Sequence, residues 1–220
     1  MFTGIVECTG VVKACEVLER GGIGFEFEIN NFNYLSDVLI GDSLSINGVC
    51  LTVVFKTQSQ FKATAVPETL RLTNLGELKI GSEINLERSL SFGKSIGGHL
   101  IQGHVDGLVK ILEINPDGVA MNIKIALPEK FHKYIIHKGF VGLDGMSLTV
   151  AGVNLKENYF WVTLIPHTQA VTIAKFYQVG SCLNFEADSM VKNMVSYLDT
   201  YLENYLDKYL ENFLEKRLKS

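Results

Sequence analysis

The sequence predicts an all-β protein with one C-terminal helix: two tandem antiparallel barrels of about six strands each, then a helical tail. Three observations predict this. The chain repeats itself once; each copy consists of short stretches of alternating polarity bounded by Gly, Asn and Asp; and from Val191 to Leu218 there is neither Gly nor Pro.

The repeat is read from phrases that recur in order. Gly4-Ile5-Val6-Glu7 returns as Gly103-His104-Val105-Asp106, and Asn47-Gly48-Val49-Cys50-Leu51-Thr52-Val53 returns as Asp144-Gly145-Met146-Ser147-Leu148-Thr149-Val150, the latter at an offset of 97. Val66-Pro67-Glu68-Thr69 returns as Ile165-Pro166-His167-Thr168, and Gly81 to Glu87 as Gly180 to Glu186, both at an offset of 99. A drift of two residues over a whole copy is what small changes in loop length between duplicated domains produce. The reading divides the chain into units 1–96, 97–188 and 189–220.

Within the copies, Phe25-Glu26-Phe27-Glu28-Ile29, Ile84-Asn85-Leu86-Glu87 and Met121-Asn122-Ile123-Lys124-Ile125 alternate with period two. Phe160 to Ile165 is rich in β-formers and reads as buried on both sides. Many short strands with little room for helices favour closure, which leaves no sheet edge exposed.

The tail differs in kind. Tyr-Leu or Phe-Leu pairs recur every four residues at Tyr197-Leu198, Tyr201-Leu202, Tyr205-Leu206, Tyr209-Leu210 and Phe213-Leu214, separated by polar pairs. That pattern predicts one amphipathic helix, about 40 Å long at 1.5 Å per residue. A repeat of four overshoots the turn by about 40° each time, so the apolar stripe winds around the helix. One flat surface of its own chain cannot cover all of such a stripe, and some of it needs another partner.

Composition removes several classes. A net charge of -4 with no basic cluster argues against nucleic acid, and no apolar run approaches the length of a membrane span. Cys8, Cys15, Cys50 and Cys182 lack the paired spacing of a metal site, and the opening residues lack a charged leader, so the expectation is a cytoplasmic protein with free thiols, no metal and no cofactor.

The phrases Met1-Phe2-Thr3-Gly4-Ile5-Val6-Glu7, Asn47 to Val53, Glu68-Thr69-Leu70-Arg71-Leu72-Thr73-Asn74-Leu75-Gly76, Gly97 to His104, and Lys138-Gly139-Phe140 with Asp144 to Val150 together resemble the alpha-type, two-repeat riboflavin synthase family, from Met1 to about Asp188. The tail resembles that family only in being a helix. The resemblance implies two six-stranded Greek-key barrels and a C-terminal helix that assembles a homotrimer. It implies conversion of two molecules of 6,7-dimethyl-8-ribityllumazine into riboflavin and 5-amino-6-ribitylaminouracil without cofactor or metal. A non-catalytic lumazine- or flavin-binding protein of the luminescence type is the rival reading. Those relatives lose reactive residues that this chain keeps.

The implied chemistry needs loss of a proton from the acidic C7 methyl of one lumazine, attack of the carbanion on the other, and a nucleophile that adds and leaves. By resemblance His104 is the base, since an imidazole titrates near neutrality; the first copy has Ile5 in its place. Cys50 and Ser147, at matched positions, either add to the electron-poor ring or hydrogen-bond its pyrimidine edge. Asp144, three residues before Ser147, is placed to orient that hydroxyl. His99 is open between a site role and fixing the entry strand; His132 and His137 are weaker candidates.

Matching family segments, the first barrel is expected to be lined by Gly4, Ile5 and Val6, by Cys50, Leu51 and Thr52, and by Thr64, Ala65, Val66, Pro67, Glu68 and Thr69. The second is expected to use Gly103, His104 and Val105, then Ser147, Leu148 and Thr149, then Thr163, Leu164, Ile165, Pro166, His167 and Thr168. His167 departs from the acid expected there. Lys138 either reaches a neighbour's ligand or caps a loop.

Overall fold

The computed structural model describes residues 1–31 and 33–218, with only the backbone course at 204, 207, 208 and 210–218. Twelve strands form two closed barrels within one compact unit, Met1–Asp188. The first contains β1 (Cys8–Val17), β2 (Ile23–Ile29), β3 (Ser43–Ile46), β4 (Val49–Lys56), β5 (Gln60–Ala65) and β6 (Glu83–Arg88), in the spatial order β1-β2-β5-β4-β3-β6. The second contains β7 (Gly107–Asp117), β8 (Ala120–Ala126), β9 (Phe140–Leu143), β10 (Met146–Asn154), β11 (Tyr159–Leu164) and β12 (Cys182–Ala187), in the matching order. Strand β6 returns beside β3 after the run β3-β4-β5, which is a Greek key. Short helices α1 (Pro67–Leu72) and α2 (Pro166–Val171) follow β5 and β11, each opened by a proline whose fixed φ suits the first helical turn.

The duplication reaches fine detail. Register slips between Val12 and Ala14 and between Val53 and Phe55 recur between Ile111 and Glu113 and between Val150 and Gly152. Such bulges increase local twist and help a six-stranded sheet to close. Each barrel has its own core: Phe27 stacks on Phe61 at 4.9 Å in the first, and Phe131 on Phe185 at 4.5 Å in the second. Burying each such ring contributes roughly 1.5 to 3 kcal/mol. Strand β11 alternates more than its composition suggests: Phe160, Val162 and Leu164 point inward, Trp161 is half-buried and Thr163 is exposed.

The polar faces of β6 and β12 are not solvated, although their alternation reads that way. Asn85, Glu87, Asn184 and Glu186 are all buried, and the two asparagines form a pseudo-symmetric seam between the barrels. Asn85 Nδ2 donates to the Asp144 carbonyl at 2.9 Å, and Asn184 Nδ2 donates to the Asn47 carbonyl at 2.8 Å. At the middle of the seam two hairpin turns meet back to back. Asn47-Gly48 and Asp144-Gly145 all have positive φ, as two-residue turns of the I′ kind require, and a Cβ on Gly48 would lie 2.6 Å from the Gly145 nitrogen.

Helix α3 (Ser189–Leu218) forms a second unit. Its rings Tyr197, Tyr201 and Tyr205 stack in a ladder with 6.4 Å between successive centroids. The tyrosines and leucines from Tyr197 to Leu206, and Tyr209, are exposed. The later members of the repeat, Leu210, Phe213 and Leu214, have side chains outside the described residues.

Candidate active site

Alternation along the central hairpin of each barrel decides which candidate side chains are available. On β4, Val49, Leu51 and Val53 fill the core, so Cys50 and Thr52 face outward, beside Thr64 on β5. On β10, Met146, Leu148 and Val150 point inward, leaving Ser147 and Thr149 outward beside Thr163. Leu51, Ala65, Leu148 and Leu164, expected to line the site, are buried core residues and offer a ligand only their backbone.

Above each outward row runs an opening segment, and here the structure corrects the sequence reading, which assigned each segment to the barrel it precedes. The segments are exchanged. The Gly4 carbonyl accepts from the Ser147 amide at 2.8 Å, while the Gly103 carbonyl accepts from the Cys50 amide at 3.0 Å. Val6 packs on the second core and Val105 on the first. Gly4 and Gly103 have φ of +74° and +80°, and a Cβ on either would lie 2.5 Å from the Cβ of Ser147 or Cys50 respectively. Glycine is therefore required by conformation and by close approach together. The first candidate half-site thus combines the row Cys50, Thr52 and Thr64 with the segment Gly103, His104 and Val105, and the second candidate half-site combines the row Ser147, Thr149 and Thr163 with the segment Gly4, Ile5 and Val6. His104 is exposed and follows directly on the glycine that touches Cys50.

The half-sites differ in the hydrogen bonding of Ser147 and Cys50. His99 Nδ1 lies 2.7 Å from Ser147 Oγ, and its ring stacks on Phe140 with centroids 5.2 Å apart. The ring is buried, and its Nε2 has no hydrogen-bond partner. Burial lowers the His99 pKa, with the Asp188 charge opposing, which favours the neutral imidazole; in the tautomer that carries its proton on Nε2, Nδ1 accepts from the serine hydroxyl. Among the described residues no imidazole is hydrogen-bonded to Cys50, whereas His99 is tied into the second half-site by its amide as well, which donates to the Thr3 carbonyl at 3.1 Å. The pairing joins residues 48 apart and has no periodic signature. The signal that marks it is Gly98, where a Cβ would sit 2.4 Å from the Thr3 carbonyl and 2.7 Å from Ser147 Oγ.

Asp144 does not orient Ser147. Its fully buried carboxylate accepts from the Asn184 amide at 2.8 Å, Asn74 Nδ2 at 3.0 Å and the Tyr177 hydroxyl at 2.8 Å, which places it in the seam between the barrels. Burial pushes its pKa up to about 6, against the opposing pull of those donors. Lys138 is exposed with φ +67°, and its amide donates to the Val150 carbonyl at 2.9 Å, as Gly41 donates to Val53 in the first barrel. The backbone of Lys138 therefore closes a loop, in a conformation that most side chains avoid.

On α1 and α2 the exposed Val66 and Ile165 precede Pro67 and Pro166. Glu68 pairs with Arg71, His167 is exposed, and the carbonyls of Thr69 and Thr168 accept from the hydroxyls of Thr73 and Thr172, each at 2.7 Å.

The model of the lumazine binding domain matches twice, over residues 3–89 and 102–188. The chain is 38% identical over 198 residues to a riboflavin synthase of Bacillus subtilis, covering 90% of each chain. It is 42% identical over 197 residues to that of Meyerozyma guilliermondii, covering 86% of this chain and 82% of the other. The chain belongs to the riboflavin synthase family. Among solved structures, LumP complexed with 6,7-dimethyl-8-(1'-D-ribityl) lumazine superimposes with a TM-score of 0.75 at 20% identity, over 85% of this chain and 99% of that one, a likeness of fold. The two matched domains coincide with the two barrels.

Proposed function

We propose that this protein is a riboflavin synthase that holds one 6,7-dimethyl-8-ribityllumazine on each half-site and moves a four-carbon unit from one to the other. The products are riboflavin and 5-amino-6-ribitylaminouracil. All atoms of the two substrates appear in the two products, so the reaction needs no added oxidant, reductant or cofactor. The observation that carries the reading is one frame built twice with different reactive groups: Cys50 beside the His104 segment, and Ser147 bonded to His99 at 2.7 Å. A dismutation asks one molecule to play two roles, and such a pair of half-sites supplies two environments for it.

In the first half-site His104 takes a proton from the C7 methyl of its lumazine. In the second, Ser147, its proton passing to His99 Nδ1, adds to the ring of the other lumazine and prepares it for carbanion attack; the same group leaves when the fragments separate. Cys50, Thr52 and Thr64, like Thr149 and Thr163, hold the heterocycle and the ribityl chain. Asp144 keeps the barrels docked. Each half-site draws on both repeats, 1–96 and 97–188, and 189–220 assembles a homotrimer through α3, whose exposed tyrosine and leucine face suits a second copy. In that trimer the first half-site of one subunit meets the second half-site of the next. Four free cysteines accord with a cytoplasmic setting.

Purified protein mixed with 6,7-dimethyl-8-ribityllumazine alone tests the reading: riboflavin should form. Tight binding without turnover would instead support a luminescence-type binding protein. A chain truncated before Val191 should remain folded, bind lumazine and lose nearly all activity as a monomer in sedimentation.

A further inference from the structure

Each opening segment is held from behind by a buried glutamate, and each glutamate belongs to the barrel that the segment does not serve. Glu87, on β6 of the first barrel, accepts from the Thr3 amide at 2.6 Å and the Thr3 hydroxyl at 2.8 Å through Oε1, and from the Gly4 amide at 3.0 Å through Oε2. Gly4 then receives the Ser147 amide of the second barrel. Glu186, on β12 of the second barrel, accepts from the Gln102 amide at 2.7 Å and the Gly103 amide at 3.0 Å, and Gly103 receives the Cys50 amide of the first.

We infer that Glu87 and Glu186 are positioning residues acting crosswise, Glu87 setting the geometry of the Ser147 half-site and Glu186 that of the Cys50 half-site. This rests on the proposed reading of those places as half-sites. The physical case is that the segments carrying Gly4 and Gly103 are not strands of any barrel: between the Phe2–Ile101 bridge and the backbone bonds from Glu7 to Leu86 and from Asp106 to Phe185, the amides of Thr3, Gly4, Gln102 and Gly103 turn to these carboxylates. Two adjacent amides on one carboxylate fix both position and tilt of the peptide plane, and charge-assisted bonds of this kind are about twice as strong as neutral ones. Glu87 and Glu186 are 5% and 3% exposed, so water cannot replace them readily. The peptide plane so fixed aims the next carbonyl at the amide of Ser147 or Cys50, which sets how closely Ile5 or His104 approaches that side chain. Both glutamates act through the backbone of the segments they hold, and the sequence alone would assign each to its own barrel.

Hydrogen exchange on the full-length protein without substrate tests this independently of turnover. In Glu87→Gln, which keeps one acceptor and loses the other, exchange of the Ser147 amide should accelerate about tenfold or more while that of the Cys50 amide stays as in the wild type. Glu186→Gln should give the converse. The amide of Phe27, deep in the first barrel, serves as the reference for global opening. Thr3→Val removes the hydroxyl that donates to Glu87 and accepts from the Ile5 amide at 3.3 Å while leaving both amide bonds to Glu87, and should shift Ser147 in the same direction by less, which keeps the test available if a glutamate variant fails to fold. Acceleration at Cys50 in Glu87→Gln, equal acceleration at both amides in any of the folded variants, or no change at Ser147 in both Glu87→Gln and Thr3→Val would overturn the inference. Because no ligand is present, absence of riboflavin formation by the wild type would sink the functional reading while leaving the exchange pattern to stand or fall by itself.

Discussion

The two half-sites share a frame down to their β-bulges and exchanged glycines, yet one presents a thiol under the glycine that precedes an exposed histidine and the other a hydroxyl already bonded to a buried imidazole. In the first, Cys50 sits under Gly103 with His104 next in the chain; in the second, Ser147 sits under Gly4 with Ile5 next, and His99 reaches it from the linker. Duplication has preserved what fixes the backbone, and the differences include side chains that can handle protons. A reaction that treats one copy of a molecule as acid and another as electrophile has a use for that difference.

The largest expected effect breaks the comparison on the base side. His104→Ala should lower kcat about a hundredfold or more with KM little changed, since a general base acts in the transition state. Its counterpart Ile5→Ala should mainly raise KM. Steady-state kinetics on both variants check the pair; near-normal turnover by His104→Ala would remove the base assignment.

Next comes the nucleophile. Ser147→Ala should lower kcat by about a hundredfold, whereas Cys50→Ala, lacking an imidazole partner to lose, should cost about tenfold or less and chiefly in binding. Single-turnover absorbance separates the two. Equal small losses would leave water or a ribityl hydroxyl as the adding group.

A third, smaller effect concerns the seam. Asn47 and Asp144 occupy the same turn position, and only the carboxylate titrates. Its folded pKa near 6 lies above the ordinary value, so folding favours the protonated form. That contribution is fully present below about pH 4 and is lost as pH rises through about 6; its size is about 3 kcal/mol. Asp144→Asn should therefore flatten the difference in denaturant stability between pH 4 and pH 7, and match or exceed the wild type at pH 7 or above. An unchanged pH slope in the variant would show that Asp144 is not the titrating group.

Much of this was legible in the sequence, because strands and repeats announce themselves locally. Period-two stretches such as Phe25 to Ile29 became barrel strands, the recurring Asn-Gly and Asp-Gly phrases became matched hairpins, and the Gly-free tail became α3. What was hidden was what crosses from one copy to the other. The burial of Asn85 and Glu87 looked like ordinary alternation, because polarity along a strand does not say whether water or another barrel covers that face. The exchange of Gly4 and Gly103, the seam role of Asp144 and the bond from His99 to Ser147 are all contacts between distant residues, written only indirectly in glycines that leave no room for a side chain.

The central claim, that one reaction needs a first half-site and a second half-site in different roles on different subunits, is tested most directly by complementation. One variant carries Cys50→Ala with His104→Ala, and another carries Ser147→Ala with His99→Gln; each alone should be nearly inactive. Dissociated and reassembled together, they form mixed rings in which an intact first half-site meets an intact second one, and riboflavin formation should return. Mixed trimers confirmed by native mass spectrometry that recover no activity would contradict the account.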